Sequence, residues 1–205
     1  MTNPFADRSS FEDETFEGLN LEGADLSGRE FYRCVFRNSK LGQSSWLRSR
    51  LEDCTFEGCD LVRIVPKMLA LRDVAFKSCR LMGVDFAEIA QYPIVSFEDC
   101  NLKYVSFVSV PLRKVSFKGC SLTEASFFEV DLTDATFEGC QLAGARFEAC
   151  DLGRARFHGA QDLFLDPAKN RVKGAEIPLE TAILLATSFG MRVLGFGKPK
   201  GDDSA

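Results

Sequence analysis

The eight cysteines are the residues of this chain whose chemistry stands out first, since thiolates bind metal ions and oxidise in pairs to disulfides. Their spacing argues against both uses, because it follows multiples of five apart from one shift of a single residue, and no Cys-x-x-Cys pair occurs. We therefore predict buried free thiols that act as small apolar fillers, with no metal and no cofactor. The cysteines are Cys34, Cys54, Cys59, Cys79, Cys100, Cys120, Cys140 and Cys150.

Groups suited to acid-base or nucleophilic catalysis are scarce. His158 is the only histidine and falls in an outward slot beside Phe157, so no base is available for a Ser-His-Asp or Cys-His arrangement. The neighbouring carboxylates of Glu98 and Asp99 could act as an acid and a base only inside a pocket, and no glycine-rich phosphate loop is present. We expect this protein not to be an enzyme.

The composition indicates a folded protein with an unusual demand for one aromatic residue. Hydrophobic residues make up 45% and charged residues 27%, and there are 19 Phe beside 3 Tyr and 1 Trp. The N-terminus is polar and acidic, and no run of 18 apolar residues occurs, so we expect a cytoplasmic protein that does not enter a membrane. The net charge of -5 argues against non-specific nucleic-acid binding.

Large apolar residues recur at every fifth position, a period that neither a helix nor a strand produces. Across most of the chain, a small or medium apolar residue lies two residues before the large one, and all eight cysteines occupy this slot. The first series is Phe11, Phe16, Leu21, Leu26, Phe31, Phe36, Leu41, Trp46, Leu51, Phe56, Leu61, Leu71, Phe76, Leu81 and Phe86; the second, shifted by one, is Phe97, Leu102, Phe107, Leu112, Phe117, Leu122, Phe127, Leu132, Phe137, Leu142, Phe147, Leu152 and Phe157.

Two inward side chains in every five residues describe a chain that turns a corner at each repeat, and four corners close one coil in about twenty residues. The strict alternation of Phe and Leu in the later half favours four walls, with Phe stacked on one opposed pair and Leu on the other. The predicted fold is therefore all-β: a quadrilateral parallel β-helix of about seven to eight coils, about 36 Å long. Five cysteines should form a ladder on one wall: Cys59, Cys79, Cys100, Cys120 and Cys140.

Two segments interrupt the repeat. The segment 62–70 keeps step but places Pro66 in the large inward slot, which indicates either a wall with altered packing or a functional bulge. The segment 87–96 contains one extra residue, so a residue must bulge outward there, and Tyr92 beside Pro93 is a candidate partner contact.

A different pattern follows the repeat. Pro178 and Gly190 are typical of the start and stop of a helix, and the apolar residues between them exceed what a lone helix can expose. This segment either caps the last coil or joins two subunits. We place a lead-in at 1–10, the repeat at 11–160, a partial coil and loop at 161–177, the helix with a short strand at 178–195, and a disordered tail at 196–205. The predicted dimer residues are Leu179, Ile183, Leu184, Phe189, Met191 and Val193.

The repeat resembles the pentapeptide-repeat family. The segments ADLSG (Ala24 to Gly28), CDLVR (Cys59 to Arg63), VDLTD (Val130 to Asp134) and CDLGR (Cys150 to Arg154) match its motif of a small residue, Asp or Asn, Leu or Phe, and two polar residues. The resemblance implies that the β-helix is right-handed.

The C-terminal segment is similar to that of the Qnr-type quinolone-resistance proteins of this family. It carries Gly-Ala-Glu-Ile at 174–177, Glu-Thr-Ala-Ile-Leu-Leu at 180–185 and Gly-Met-Arg-Val-Leu-Gly at 190–195. In those proteins, as in the mycobacterial MfpA, this segment makes a two-fold dimer of rods that imitates B-form DNA and engages DNA gyrase or topoisomerase IV. The resemblance implies a homodimer that protects a type II topoisomerase from quinolone-like or other poisons without itself binding nucleic acid.

The distribution of charge is compatible with this function. Residues 121–166 contain nine acids and three bases, whereas residues 31–120 contain nine acids and fourteen bases. A C-terminal dimer would bring the acidic thirds together at its centre. The candidate phosphate mimics are Glu124, Glu129, Asp131, Asp134, Glu138, Glu148 and Asp151. The alternative is a solvated solenoid surface with no such role, on a scaffold that binds another protein partner unrelated to topoisomerase.

Overall fold

The computed structural model describes Phe5 and residues 7–195, and the tail predicted to be disordered lies outside these residues. The chain forms a parallel β-solenoid of about seven turns with one C-terminal helix, which confirms the predicted fold class. The elements are β1 (Ser10–Glu12), β2 (Thr15–Glu17), β3 (Glu30–Tyr32), β4 (Val35–Arg37), β5 (Arg50–Glu52), β6 (Thr55–Glu57), β7 (Ala70–Arg72), β8 (Val74–Lys77), β9 (Val95–Glu98), β10 (Ser106–Val108), β11 (Ser116–Lys118), β12 (Ser126–Phe128), β13 (Thr136–Glu138), β14 (Arg146–Glu148) and α1 (Leu179–Ser188).

Each strand pairs in parallel with a strand one coil later. Phe11 lies beside Phe31 and Phe117 beside Phe137, both at an offset of twenty residues. We number the four walls of a coil in chain order from their first large inward residues: wall 1 from Phe11, wall 2 from Phe16, wall 3 from Leu21 and wall 4 from Leu26. Wall 2 carries a seven-stranded sheet, and walls 1 and 4 carry sheets of four and three strands.

The two inward slots form one continuous core, as predicted. Phe107, Phe117 and Phe127 are 1%, 0% and 0% exposed. In the segment 62–70, Pro66 occupies the large slot and is buried, while Met68 is 51% exposed. The coil therefore keeps its step there, with altered packing and two apolar side chains, Val65 and Met68, turned outward.

Aromatic stacking along the axis follows the Phe and Leu alternation. In the later half, Phe107 stacks on Phe127 with ring centroids 5.3 Å apart, and Phe117 stacks on Phe137 at 5.0 Å. Across the core, Phe117 meets Phe127 edge to face at 6.2 Å and 82°. Both are favourable aromatic geometries. The predicted opposition of two Phe walls is therefore confirmed in this half.

The extra residue between Phe86 and Phe97 is also confirmed, since Phe76 pairs with Phe97 at an offset of 21. Pro93 is buried, whereas Tyr92 has a positive φ of 58° and is 78% exposed. Before this point the strands lie on walls 1 and 2, and after it they lie on walls 2 and 4. The extra residue thus lies at the point where wall 1 stops forming strands and wall 4 begins to form them.

Corners with and without a strand satisfy their backbone differently. After a tight-turn corner, the amide of the small-slot residue donates to the carbonyl three residues earlier, as Ala125 does to Leu122 at 3.0 Å. Where a strand precedes the corner, the amide of the small-slot residue points instead to a side chain one coil later. The Leu19 amide donates to Ser39 Oγ at 3.1 Å, and the Cys150 amide to Asn170 Oδ1 at 3.0 Å. A buried amide requires such a partner.

The two ends of the solenoid are closed by different means. Phe5, which the repeat did not predict as core, is 0% exposed and contacts the rings of Phe11 and Phe16 at 5.0 and 4.9 Å. At the other end, bridges at Gln161, Arg171 and Glu176 extend the coil pattern beyond residue 160. They enclose a loop within 161–177, the segment predicted to be a partial coil.

The predicted C-terminal helix is present as α1, which begins after Pro178. The short strand predicted after it is absent, because residues 191–193 have no strand assignment and 194–195 form a turn. A lone strand at the end of the described chain has no neighbour to pair with. Within the described part of the chain, no helix is long and apolar enough to cross a bilayer.

Replacing Phe5 with Ala should destabilise the N-terminal coils selectively. The ring fills the open end of the core, and removal of a buried Phe side chain costs about 3 to 5 kcal/mol. Each coil of a solenoid is stabilised only by the coils next to it. Hydrogen exchange should therefore accelerate in residues 10–46 and remain unchanged in 107–157. Tyr32→Ala, which removes a partly exposed ring from the same coils, is the control. Equal acceleration along the whole chain would contradict this account.

Candidate functional site

The cysteines are structural, and the structure shows a role for them that the sequence did not reveal. All eight are free and buried, and each lies two residues after the end of a strand. These are the corners where an amide lacks a partner within its own turn. The Cys120 thiol lies 3.5 Å from the carbonyl oxygen of Phe97 and 3.4 Å from that of Lys118, and donates toward both. The thiols therefore satisfy backbone groups as well as filling space, a function that the apolar-filler interpretation lacked.

Burial favours the neutral form of the thiols of Cys34, Cys54 and Cys150. Burial raises the pKa of Cys54 to about 11 and also raises the pKa of Cys34 and Cys150. A buried neutral thiol is a poor nucleophile and a poor metal ligand. The described residues contain no group of three or more His, Cys, Asp or Glu side chains that could hold a metal ion.

The single histidine lies on the outside of the solenoid, as predicted. His158 is exposed and its Nε2 lies 2.5 Å from Glu176 Oε2. Glu98, from the carboxylate pair considered for acid-base chemistry, forms an ion pair of 3.2 Å with Lys118 on the surface of wall 2. Both groups are tied to neighbouring coils on open walls, an arrangement that suits surface stabilisation.

The seven candidate acids do not share a face. Asp131 and Asp151 lie on wall 1, Asp134 lies at the corner where wall 1 ends, and Glu138 ends β13 on wall 2. Glu124 lies at the corner between walls 3 and 4, Glu148 lies on wall 4, and Glu129 lies at the corner where wall 4 ends. Because the walls follow one another every five residues, acids that are close in sequence point in different directions around the rod.

Ion pairing divides these acids further. On wall 1, Asp131 pairs with Arg113 at 3.0 Å and Asp134 with Arg154 at 2.7 Å. The hydrogen bond from Arg154 holds the pKa of Asp134 below its ordinary value. Asp151 and Glu148 have looser partners, Arg171 at 3.7 Å and Lys169 at 3.8 Å. Among the described residues, Glu124, Glu129 and Glu138 have no basic side chain within ion-pair distance.

Wall 4 carries an outward-facing apolar pair, half-buried Val108 and exposed Phe128, that the sequence analysis did not identify. The last residue of a strand is charged in eleven of the fourteen strands. The exceptions are Tyr32, Val108 and Phe128. Tyr32 is covered by the guanidinium of Arg33 at 4.0 Å. Val108 and Phe128 are direct neighbours on adjacent strands, and Phe128 is 41% exposed.

Carboxylates surround this apolar pair. Glu148 is the register partner of Phe128 on the next strand. Glu129 follows Phe128 in sequence and accepts a hydrogen bond of 2.9 Å from Ser109. Glu124 lies at the corner that leads into the same strand. We call Val108, Phe128, Glu124, Glu129 and Glu148 the wall-4 patch. The recognisable sequence signal was an apolar residue in a slot that is otherwise charged.

The C-terminal helix leaves most of its apolar surface open. Leu179, Leu184, Phe189 and Met191 are 58%, 48%, 59% and 55% exposed, and Thr181 is the only helical residue that is buried. The other predicted dimer residues, Ile183 and Val193, are half-buried. Such a helix is normally covered on several sides, and the solenoid covers only one.

Three comparisons place this geometry among known proteins. The family model described as a pentapeptide repeat region matches residues 29–107, 69–147 and 110–162. The quinolone resistance pentapeptide repeat protein QnrB96 of Scandinavium goeteborgense is 28% identical over 114 residues, which is 50% of this chain and 53% of that protein. Protein McbG of Escherichia coli is 30% identical over 95 residues, 46% of this chain and 51% of McbG. The chain thus spans about half the length of these curated relatives.

Solved structures extend the likeness over nearly the whole chain. A trypsin-treated variant of QnrB1, a plasmid-mediated fluoroquinolone resistance protein, is 26% identical with a TM-score of 0.53, covering 94% of each chain. Full-length QnrB1 is 24% identical with a TM-score of 0.54, covering 89% of this chain and 90% of that one, which supports the fold alone.

The folded protein should resist thiol modification. At pH 8, Ellman's reagent should react with no cysteine of the native chain and with all eight in guanidinium chloride, because every thiol is buried. The protein treated with guanidinium serves as the control for total thiol content. Rapid modification of any cysteine in the native state would show that its corner opens, contrary to the packing described.

Proposed function

Because the chain belongs to the pentapeptide-repeat family, whose model matches residues 29–162, we propose that it is a DNA mimic that binds a type II topoisomerase and protects it from a poison. The chain is Qnr-like in its repeat and in its fold. The observation that carries the proposal is the likeness to a QnrB1 structure over 94% of both chains at 26% identity. That protein is a fluoroquinolone resistance protein, and the partner proposed for this chain is DNA gyrase or topoisomerase IV.

The dimensions of the rod support imitation of a duplex. About seven turns at roughly 4.8 Å per coil give a length of about 34 Å, and two rods joined end to end would be about 70 Å long. DNA presents one phosphate charge per roughly 1.7 Å of axis, so a mimic requires both length and surface carboxylates. The seven candidate acids, together with Tyr92 at the exposed bulge, are the proposed contacts.

The proposed assembly is a homodimer formed through the C-terminal helix. Its exposed apolar groups exceed what a cap would leave in water, and a second copy of the same helix would cover them. The surface of this helix therefore supports joining over capping. Such a dimer would place the coils of residues 121–166, with nine acids and three bases, on either side of its centre.

The proposed protection follows from competition for a basic surface. An enzyme that holds DNA presents Lys and Arg side chains to its phosphates. A rod with unpaired carboxylates can occupy that surface, and it displaces the DNA on which a poison acts. Of the candidate acids, Glu124, Glu129 and Glu138 are the most available, since none of them forms an ion pair among the described residues.

A second candidate function is a scaffold for a different protein. The ion pairs of Asp131 with Arg113 and of Asp134 with Arg154 favour it, because they neutralise acids that a phosphate mimic would need to expose. The effect of the protein on a topoisomerase distinguishes the two functions, because only the DNA mimic should change the activity of the enzyme.

Purified protein should restore supercoiling by DNA gyrase, or decatenation by topoisomerase IV, in the presence of a quinolone, and at higher concentration should inhibit the enzyme alone. The reason is competition with DNA for the same basic surface. The measurement is a gel assay over a wide range of protein concentration, with serum albumin as the control. If neither protection nor inhibition occurred with either enzyme, the topoisomerase proposal would be rejected in favour of the scaffold.

Phe189→Glu should convert the dimer to a monomer. A charge placed in an apolar helix contact is costly to bury. Light scattering should give the mass of two 22.8 kDa chains for the native protein and of one for the variant. Tyr104→Glu makes the same change at a side chain of equal exposure, 59%, on the solenoid, and should remain dimeric. A native protein of one chain's mass would mean that the helix only caps.

A further inference from the structure

The wall-4 patch differs from every other strand surface of the solenoid. On β10 and β12 the outward residue at the strand end is Val108 or Phe128, where most strands carry a charge. The two side chains are adjacent on neighbouring strands, so they form one apolar surface. Within the described part of the chain, no guanidinium or ammonium group stacks on the Phe128 ring as Arg33 stacks on Tyr32.

An exposed phenyl ring on a flat β-sheet is a typical anchor for a protein partner. Aromatic residues concentrate binding energy when a partner encloses them, particularly at the centre of a contact. Phe128 is held by a strand whose inward residue, Phe127, is fully buried, so the ring is presented on a rigid support. Little conformational entropy is therefore lost on binding.

The charges around the ring specify the chemistry of the partner. Glu124 and Glu129 have no basic partner among the described residues, and Glu148 has only a distant one, Lys169 at 3.8 Å. A partner that covers Phe128 must also approach these carboxylates. Lys and Arg side chains at the rim of its pocket would be attracted, whereas another acidic surface would be repelled.

We infer that the wall-4 patch is the site at which this protein binds the topoisomerase, with Phe128 inserted into an apolar pocket rimmed by Lys and Arg. The inference rests on the proposed function and identifies which wall makes the contact. Wall 1 is less suited, because Asp131 and Asp134 are already paired with arginines. Nucleic acid is excluded as the occupant, since three carboxylates surround the ring.

An apolar anchor gives the contact a property that charge imitation alone lacks. Binding between opposite charges weakens steeply as salt rises, whereas burial of a phenyl ring is nearly independent of salt. The two contributions can therefore be separated in one titration. Phe128 should set the strength of binding at every salt concentration, and Glu129 should set its dependence on salt.

The test uses Phe128→Lys, with Phe128→Ser as a second variant. Lysine is already found in the corresponding slot at Lys77 and Lys118, so the fold should tolerate it. Binding of full-length variants to purified gyrase and to topoisomerase IV is measured by surface plasmon resonance at several salt concentrations. Both variants should weaken binding about ten-fold or more at all of them. Glu129→Gln should instead flatten the salt dependence.

Tyr32→Lys is the matched control, because it makes the same change in the same repeat slot on wall 1 and should leave affinity within about two-fold. If the native protein binds and Phe128→Lys and Phe128→Ser bind equally well, the inference is wrong while the proposed function stands. If the native protein binds neither enzyme, both are wrong. Loss of binding by Tyr32→Lys as well would also overturn the assignment to wall 4.

Discussion

Hydrogen bonds between consecutive coils are the interaction on which the rest of this structure depends. Most backbone hydrogen bonds join residues about twenty positions apart, so outward positions recur in columns along the rod. Columns bring residues together that are distant in sequence, such as Val108 and Phe128. They also separate residues that are close in sequence, such as Glu129 and Asp131. Both the stability of the molecule and the chemistry of its surfaces follow from this one register.

The interior was predictable from the sequence because large apolar residues recur at every fifth position and all point inward. Phe107, Phe117 and Phe127 are inward as predicted, and the one-residue shift before Phe97 is real. Features that depend on three-dimensional geometry were not predictable. Phe5 closes the N-terminal end although it precedes the repeat, and no spacing rule identified it. The strand predicted after the helix is absent, because strand formation requires a neighbour that the sequence alone does not supply.

The same distinction applies to the candidate site. The acids were selected by counting charges along the chain, which ignores that successive repeats face different walls. In the structure, Asp134 is neutralised by Arg154 and Glu129 is not, a difference that depends on residues one coil away. Phe128 follows the inward residue Phe127 directly, and the five-residue period does not single it out. Only the assignment of strand ends shows that its slot normally carries a charge.

The transfer of strands from wall 1 to wall 4 at residues 91–93 limits how this rod can change in length during evolution. Copying or losing one coil within either half would preserve the order of rings and thiols, because each coil there repeats its neighbour's corner types. A recombination that joined the two halves without the extra residue would stack corners that follow a strand on corners that form a tight turn. The amides at those corners would then lack acceptors. The bulge at Tyr92 is therefore a seam between two blocks, each able to grow or shrink only by whole coils.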